Sequence, residues 1–248
     1  MLFKPQTIVC GLLLMCSGWL NSPASAQTTP AQTYFDYAGR SGTVAAVGGG
    51  EMPEEVVAAV VKTAGDNGTV VILPDAAEDP VSASAKATEY LQQAGLKPES
   101  IIGRSGLLSD ELRSQILQAL STARAVWIPG GQQSRLFAAW QNTELESALQ
   151  QLLQRGGLIA GTSAGAAIMS HIMIASGQET PQLATGWDLI PGAIVDQHFT
   201  QRNRIGRSQQ AVSLHPGTIG LGLDEGTALL LSGRTLRTAG TGNVTILL

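Results

Sequence analysis

Gly161-Thr162-Ser163-Ala164-Gly165 joins two apolar runs, Gly157-Leu158-Ile159-Ala160 and Ala166-Ala167-Ile168-Met169. This order predicts a strand, a tight turn and a helix, with the serine at the bend. A G-x-S-x-G at such a junction is the sequence form of a nucleophile elbow, in which small neighbours let a strained turn present the hydroxyl. The following helix would add unpaired N–H groups and partial positive charge where an oxyanion develops. A turn built only for close packing has the same pentapeptide, so the reading depends on partners elsewhere in the chain.

A serine nucleophile needs a base, usually histidine near neutral pH. The chain has three: His171, His198 and His215. His171 lies eight residues past Ser163 on the same expected helix, about 12 Å along its axis, too far to reach the hydroxyl. His215 precedes Pro216 in an expected helix-to-strand loop and reads as a surface residue. His198, in Val195-Asp196-Gln197-His198-Phe199, stands where an apolar strand ends, at the same sheet edge as Ser163, and is the base candidate by elimination. The orienting carboxylate is best sought at Glu225, in Gly222-Leu223-Asp224-Glu225-Gly226, also at a strand end. Glu179, in a loop between Ser163 and His198, is the rival, and Asp188 a third choice. Gly130-Gly131 would let backbone N–H groups approach a substrate carbonyl and complete an oxyanion hole with Ala164. Gly48-Gly49-Gly50 has no third spaced glycine and no acid placed for a ribose, so a tight turn or close substrate approach is the better reading.

The elements that must position these residues alternate along the chain. Expected strands at 43–47, 69–73, 101–102, 125–128 and 158–160 are separated by expected helices after Pro53, over 81–94, 110–120 and 144–153. Such βα alternation implies an α/β, mostly parallel sheet with helices on both faces, and sites in such sheets form beyond the carboxyl ends of the strands. The glycines at 48–50 and 130–131 and Ser163 all fall there. From about Ile194 the pattern changes to short strands with one inserted helix.

Lys4 followed by the apolar stretch Thr7 to Leu20 and by Ala24-Ser25-Ala26 reads as a secretory signal peptide removed after residue 26. Met15 directly before Cys16 disfavours a lipobox. Both cysteines, Cys10 and Cys16, lie in this leader, so no disulfide, thiol nucleophile or thiolate metal site is expected in the mature chain. Residues 27–40 are expected to be a disordered N-terminus and 41–248 one catalytic domain, exported to a periplasm or the medium. The formal charge of −4 becomes one unit more negative without Lys4. A mildly acidic chain with few aromatics gives no support to nucleic-acid binding or a basic membrane face, and no later run is long enough for a transmembrane helix.

Several motifs taken together resemble the cyanophycinase branch of the serine peptidases that also include aspartyl dipeptidase. They are Gly48-Gly49-Gly50, Gly130-Gly131-Gln132-Gln133, Gly161 to Ala166, Asp196-Gln197-His198-Phe199 running on through Arg202 to Arg207, and Asp224-Glu225. The family's usual Gly-Gly-Asp-Gln is Gly-Gly-Gln-Gln here. The resemblance implies a flavodoxin-like sheet related to class I glutamine amidotransferases. It also implies a cofactor-free, metal-free exopeptidase, possible as a homodimer, that cuts cyanophycin (poly-aspartate bearing arginine on each β-carboxyl) or a related β-linked aspartyl peptide. The products would be β-aspartyl-arginine dipeptides. By motif match Ser163 is the nucleophile, His198 the base and Glu225 the acid, while Gln133, Asp196, Gln197, Arg202, Arg204 and Arg207 line the substrate pocket. Arginines suit the substrate's free carboxylates, and a carboxylate and amides its guanidinium groups. An aspartyl dipeptidase is the neighbouring alternative. A non-catalytic periplasmic binding protein on the same scaffold is the alternative of another class, and intact Ser163, His198 and Glu225 argue against it.

Overall fold

Short β-branched and alanine-rich runs separated by amphipathic segments become a layered α/β structure. The computed structural model describes residues 41–104 and 106–248; the expected leader and the stretch 27–40 lie outside the described residues. In chain order the elements are β1 (Thr43–Val47), α1 (Glu54–Ala64), β2 (Val70–Ile72), α2 (Pro80–Gln93), β3 (Ile101–Ile102), α3 (Asp110–Leu120), β4 (Ala125–Ile128), α4 (Gln133–Trp140), α5 (Leu145–Gln154) and β5 (Leu158–Thr162). There follow α6 (Ala164–Ala167), β6 (Ile172–Ser176), β7 (Gln182–Thr185), β8 (Ala193–Gln197), α7 (Ile205–Leu214), β9 (Ile219–Leu223), β10 (Thr227–Ser232), β11 (Thr235–Gly240) and β12 (Val244–Leu247).

The main sheet has the order β11-β10-β1-β5-β4-β2-β3. Its strands from β1 to β3 run parallel, and β10 and β11 extend it antiparallel. Because successive strand residues face opposite sides, Val44, Ala46, Val126, Ile128 and Ile159 pack under α3 and α5. Ala45, Val47, Val70, Ile72, Ala125 and Ala160 pack against Val56 and Val60 of α1 and Leu91 of α2. Both faces of the sheet are therefore covered by helices, as the alternation requires. Strands β8, β9 and β12 form a second sheet, and β6 and β7 a hairpin.

The helix starts follow local chemistry. Asp79 caps α2 by accepting from Ser82 N, with Pro80 at the first position, and Ser109 caps α3 by accepting from Leu112 N. The helix expected after Ser163 is much shorter than its apolar run implies: α6 is a single turn. The carbonyls of Ile168, Met169 and Ser170 instead accept from the N–H groups of Trp187, Ile190 and Asp188. Thus His171 lies on no helix with Ser163, but at an exposed bend before β6.

Register brings the motif glycines and the serine to one level. Val47 pairs with Thr162, and Ile128 with Gly161, on the adjacent strands β1, β5 and β4. The next residues of each strand, leading to Gly48–Gly50, Ser163 and Gly130–Gly131, therefore emerge side by side at the carboxyl edge.

Candidate active site

The backbone at Ser163 has φ 53° and ψ −112°, a conformation sparsely populated by non-glycine residues that persists only when surroundings over-determine it. Its N–H donates to Val47 O, and its carbonyl accepts from Ala166 N and Ala167 N. The flanking glycines are sterically required. A Cβ on Gly161 would overlap the Gly165 carbonyl, and one on Gly165 the Ile128 carbonyl.

His198, directly after β8, is brought to this serine. Its Nε2 lies 2.8 Å from Ser163 Oγ, and its Nδ1 lies 2.5 Å from Glu225 Oε1. The partners fix the tautomer: Nδ1–H donates to the carboxylate, leaving the Nε2 lone pair for the serine proton. His198 is also in the left-handed region, with φ 49°. Its N–H donates to Gly48 O at 2.7 Å, and its ring lies directly on Gly49, where a side chain would collide with it. Burial lowers the imidazole pKa from its ordinary value; the hydrogen bond to Glu225 opposes this, and the charges of Arg202 and Arg204 add to the lowering.

Of the three carboxylates considered, Glu225 is the one at His198. Glu179 sits exposed at the tip of the β6–β7 hairpin, and Asp188 shares a separate cavity with His171. His215 caps the end of α7 and is half-buried.

Gly130 faces Ser163 so closely that a Cβ there would lie 3.3 Å from the serine Cβ. Gly131 is held against Ala76 O, which also accepts from Gln132 N at 2.8 Å. Among the described residues the N–H groups of Gly131 and Ala164 donate to no backbone acceptor, and Gly131 lines the same cavity as Ser163. With α6 only one turn long, stabilisation of an oxyanion here would come from individual N–H groups more than from a helix dipole.

Beside the serine opens a cavity of about 440 Å³ lined by Gly131, Gln133, Gln197, Arg202, Arg204, Arg207 and the hairpin residues Ala175 to Gln178. All three arginines reach it because Arg202 is in the turn after β8, Arg204 precedes α7 and Arg207 is in its first turn, so no single helix stripe is needed. Asp196 is placed differently from the expectation. It is 1 % exposed and stands behind the wall, enclosed by the side chains of Arg204, Arg207 and Ser208. Its carboxylate accepts from Arg207 Nε at 2.8 Å and from Arg207 Nη2, from Ser208 Oγ at 2.6 Å and from Arg204 Nη1 at 3.2 Å. Arg204 also donates to the carbonyl and side-chain oxygens of Gln197, and burial lowers its pKa to about 10. Arg202 is exposed and makes no ion pair among the described residues.

The segment between Ser163 and His198 supplies a wall of the cavity as the β6–β7 hairpin, with Gly177 and Pro181 around a polar stretch as its turn signals. It is clamped by Gln133, whose Nε2 donates to Ile174 O at 2.7 Å, and by Arg207, which donates to Gly177 O. Among the described residues no group of three or more His, Cys, Asp or Glu could hold a metal ion, and no helix is long and apolar enough to cross a membrane.

A serine hydroxyl, an imidazole and a carboxylate in series, at the carboxyl edge of a mostly parallel sheet, place the chain among the α/β serine-type hydrolases. Comparison with known proteins narrows the class. The model of peptidase family S51 matches residues 44–239, and the chain belongs to that family; it is a serine-type peptidase. It is 34 % identical to a cyanophycinase of Synechococcus elongatus over 228 residues, covering 87 % of this chain and 70 % of that protein. It is 38 % identical to a cyanophycinase of Trichormus variabilis over 186 residues, covering 71 % and 62 %. A crystal structure of a peptidase from an acI-B1 Actinobacterium shares the fold, with a TM-score of 0.66 at 22 % identity, covering 85 % of this chain and 92 % of that one.

Proposed function

We propose that the chain is an exported serine-type exopeptidase that hydrolyses cyanophycin to β-aspartyl-arginine dipeptides through an acyl-enzyme. The observation that carries the reaction is the series Ser163 Oγ, His198 and Glu225, with contacts of 2.8 and 2.5 Å. The names of the relatives at 34 and 38 % identity support the substrate. Export rests on the leader-like residues 1–26.

In this reading Ser163 Oγ attacks the scissile carbonyl as His198 Nε2 takes its proton. The oxyanion is met by N–H groups of the Gly130–Gly131 turn and of Ala164. Imidazolium then protonates the departing amine, and Glu225 stays ionised and holds the ring. Water, deprotonated by the same nitrogen, hydrolyses the ester and regenerates the hydroxyl. Arg202, Arg204 and Arg207 hold free carboxylates of the substrate, and Gln133 and Gln197 its polar backbone.

The test is to incubate the chain from Gln27 onward with purified cyanophycin and follow dipeptide release by mass spectrometry, with Ser163→Ala alongside. Release by the wild type alone supports substrate and nucleophile together. No release from a folded protein whose Ser163 still reacts with a phosphonate would discard cyanophycin and keep the hydrolase. Full activity in Ser163→Ala would sink the mechanism.

A further inference from the structure

Asp224 belongs to none of the roles above, yet it is 3 % exposed and ionisable. A buried carboxylate needs compensation by hydrogen bonds or a counter-charge. Among the described residues it has no cationic partner. Oδ1 accepts from Thr200 N at 3.1 Å and from Thr200 Oγ1 at 2.7 Å, and Oδ2 accepts from Asn243 N at 3.1 Å and Asn243 Nδ2 at 3.4 Å.

The place of these donors matters. Thr200 is two residues beyond His198, and Asp224 directly precedes Glu225. The carboxylate therefore ties together the two turns that carry the imidazole and the acid. A second tie runs alongside, from Glu225 N to Gln201 Oε1 at 3.0 Å, and a third from Phe199 N to Leu223 O at 3.0 Å. His198 is in a left-handed conformation, which requires holding from outside.

We propose that Asp224 is a positioning residue that keeps His198 and Glu225 in register, acting through Thr200. The inference rests on the triad reading above. It also explains the residue type. All the groups that Asp224 faces here are donors, and only a carboxylate offers acceptors on both sides. Asparagine has the same shape but would turn an NH2 toward either Thr200 or Asn243, setting donor against donor.

The test compares wild type, Asp224→Asn and Thr200→Val for the rate of phosphonate labelling at Ser163, a readout that needs no knowledge of the substrate. It is paired with the downfield Nδ1 proton resonance of His198 and with thermal melting. Asp224→Asn should remain folded, label Ser163 between about tenfold and a hundredfold more slowly, as expected for a sub-ångström to 1 Å displacement, and lose or broaden the downfield resonance. Thr200→Val should move both readouts the same way by less. A role confined to stability would lower the melting temperature while leaving the labelling rate per folded molecule and the resonance at wild-type values; that result overturns the proposal. If Asp224→Asn does not fold, Thr200→Val decides by the same two readouts. A wild type that phosphonate fails to label would instead remove the triad reading itself.

Discussion

Gly49 is the most direct test of whether the imidazole works where it is seen. Its φ is +107°, and a Cβ placed on it would lie 2.6 Å from His198 Nε2 and 2.7 Å from Nδ1. His198 Cε1 would lie closer still, at 2.2 Å, and ordinary carbon contacts are about 3.5–4.0 Å, so Gly49→Ala demands that the ring retreat by more than about 1 Å. It cannot do so and keep both 2.5 and 2.8 Å contacts, to Glu225 and Ser163. A displacement of that size costs about 10²-fold in rate. Strain from an alanine at this φ adds about 1–3 kcal/mol against the fold, a drop of several degrees in Tm for a chain of this length. Gly65→Ala is the control, since Gly65 also has positive φ (+60°) but nothing within 4 Å of its would-be side chain. It should lose stability and keep kcat. Steady-state kinetics and thermal melting of the two variants decide the matter. Wild-type kcat in Gly49→Ala, with Tm lowered as in Gly65→Ala, would refute the placement of the catalytic ring.

The proposed mechanism requires neutral His198, whose pKa burial lowers from the ordinary imidazole value of 6.5. Activity must fall as pH drops through the folded pKa, so the acid limb of kcat/KM should lie below 6.5. Glu225→Gln removes the hydrogen bond that raises this pKa, and should move the limb further to acid while lowering kcat by about 10²–10⁴-fold; a limb moving upward in a pH–rate profile would contradict the assignment. Asp196→Asn leaves Arg204 and Arg207, with side chains 11 % and 4 % exposed, facing each other without a carboxylate. Removing one member of a buried ionic cluster costs about 3–5 kcal/mol, measurable by denaturant unfolding, and a loss under about 1 kcal/mol would show that the cluster does not hold α7 on β8. Arg202→Met should leave stability within about 0.5 kcal/mol but raise KM about tenfold, as loss of a charge-assisted contact implies. An unchanged KM across a salt titration would remove Arg202 from substrate binding.

The strands, most helices and the residues at the carboxyl edge were legible because they rest on local pattern. Thr43–Val47 and Ala125–Ile128 are continuous apolar runs closed by glycines, and Asp110–Leu120 carries its own cap. What remained open depends on contacts distant in sequence. The local settings of Glu225, at a strand end, and Glu179, in a loop, favour the first without deciding between them. The choice is made by the pairing of β9 with β8, which sets Leu223 opposite Gln197 and so places Glu225 near His198. The helix after Ser163 was overestimated because Ala166 to Met169 is apolar throughout, while its termination depends on a loop some twenty residues later that captures the carbonyls. Asp196 is different, since its withdrawal from the cavity is set by Arg204, Arg207 and Ser208, which enter from the start of α7 and the turn before it.

The charges around the cavity give the site its polarity. One buried carboxylate, Asp196, serves two guanidinium groups, Arg204 and Arg207, and Gln132 puts no acid on the opposite turn, where the resembling family carries aspartate. Arg202 then adds a further cation at the open side. The space beside Ser163 is thus net positive, and Asp196 keeps the two inner guanidiniums rigid. A rigid cationic wall next to the serine favours a scissile carbonyl whose neighbour bears a free carboxylate. It also disfavours placing the substrate's own guanidinium there, because like charges at close range oppose binding. In the cyanophycin reading this orients the polymer: its free carboxylates turn toward α7, and its arginine side chains toward solvent or toward the acidic face formed by Glu51, Glu54 and Glu55 beyond Gly226.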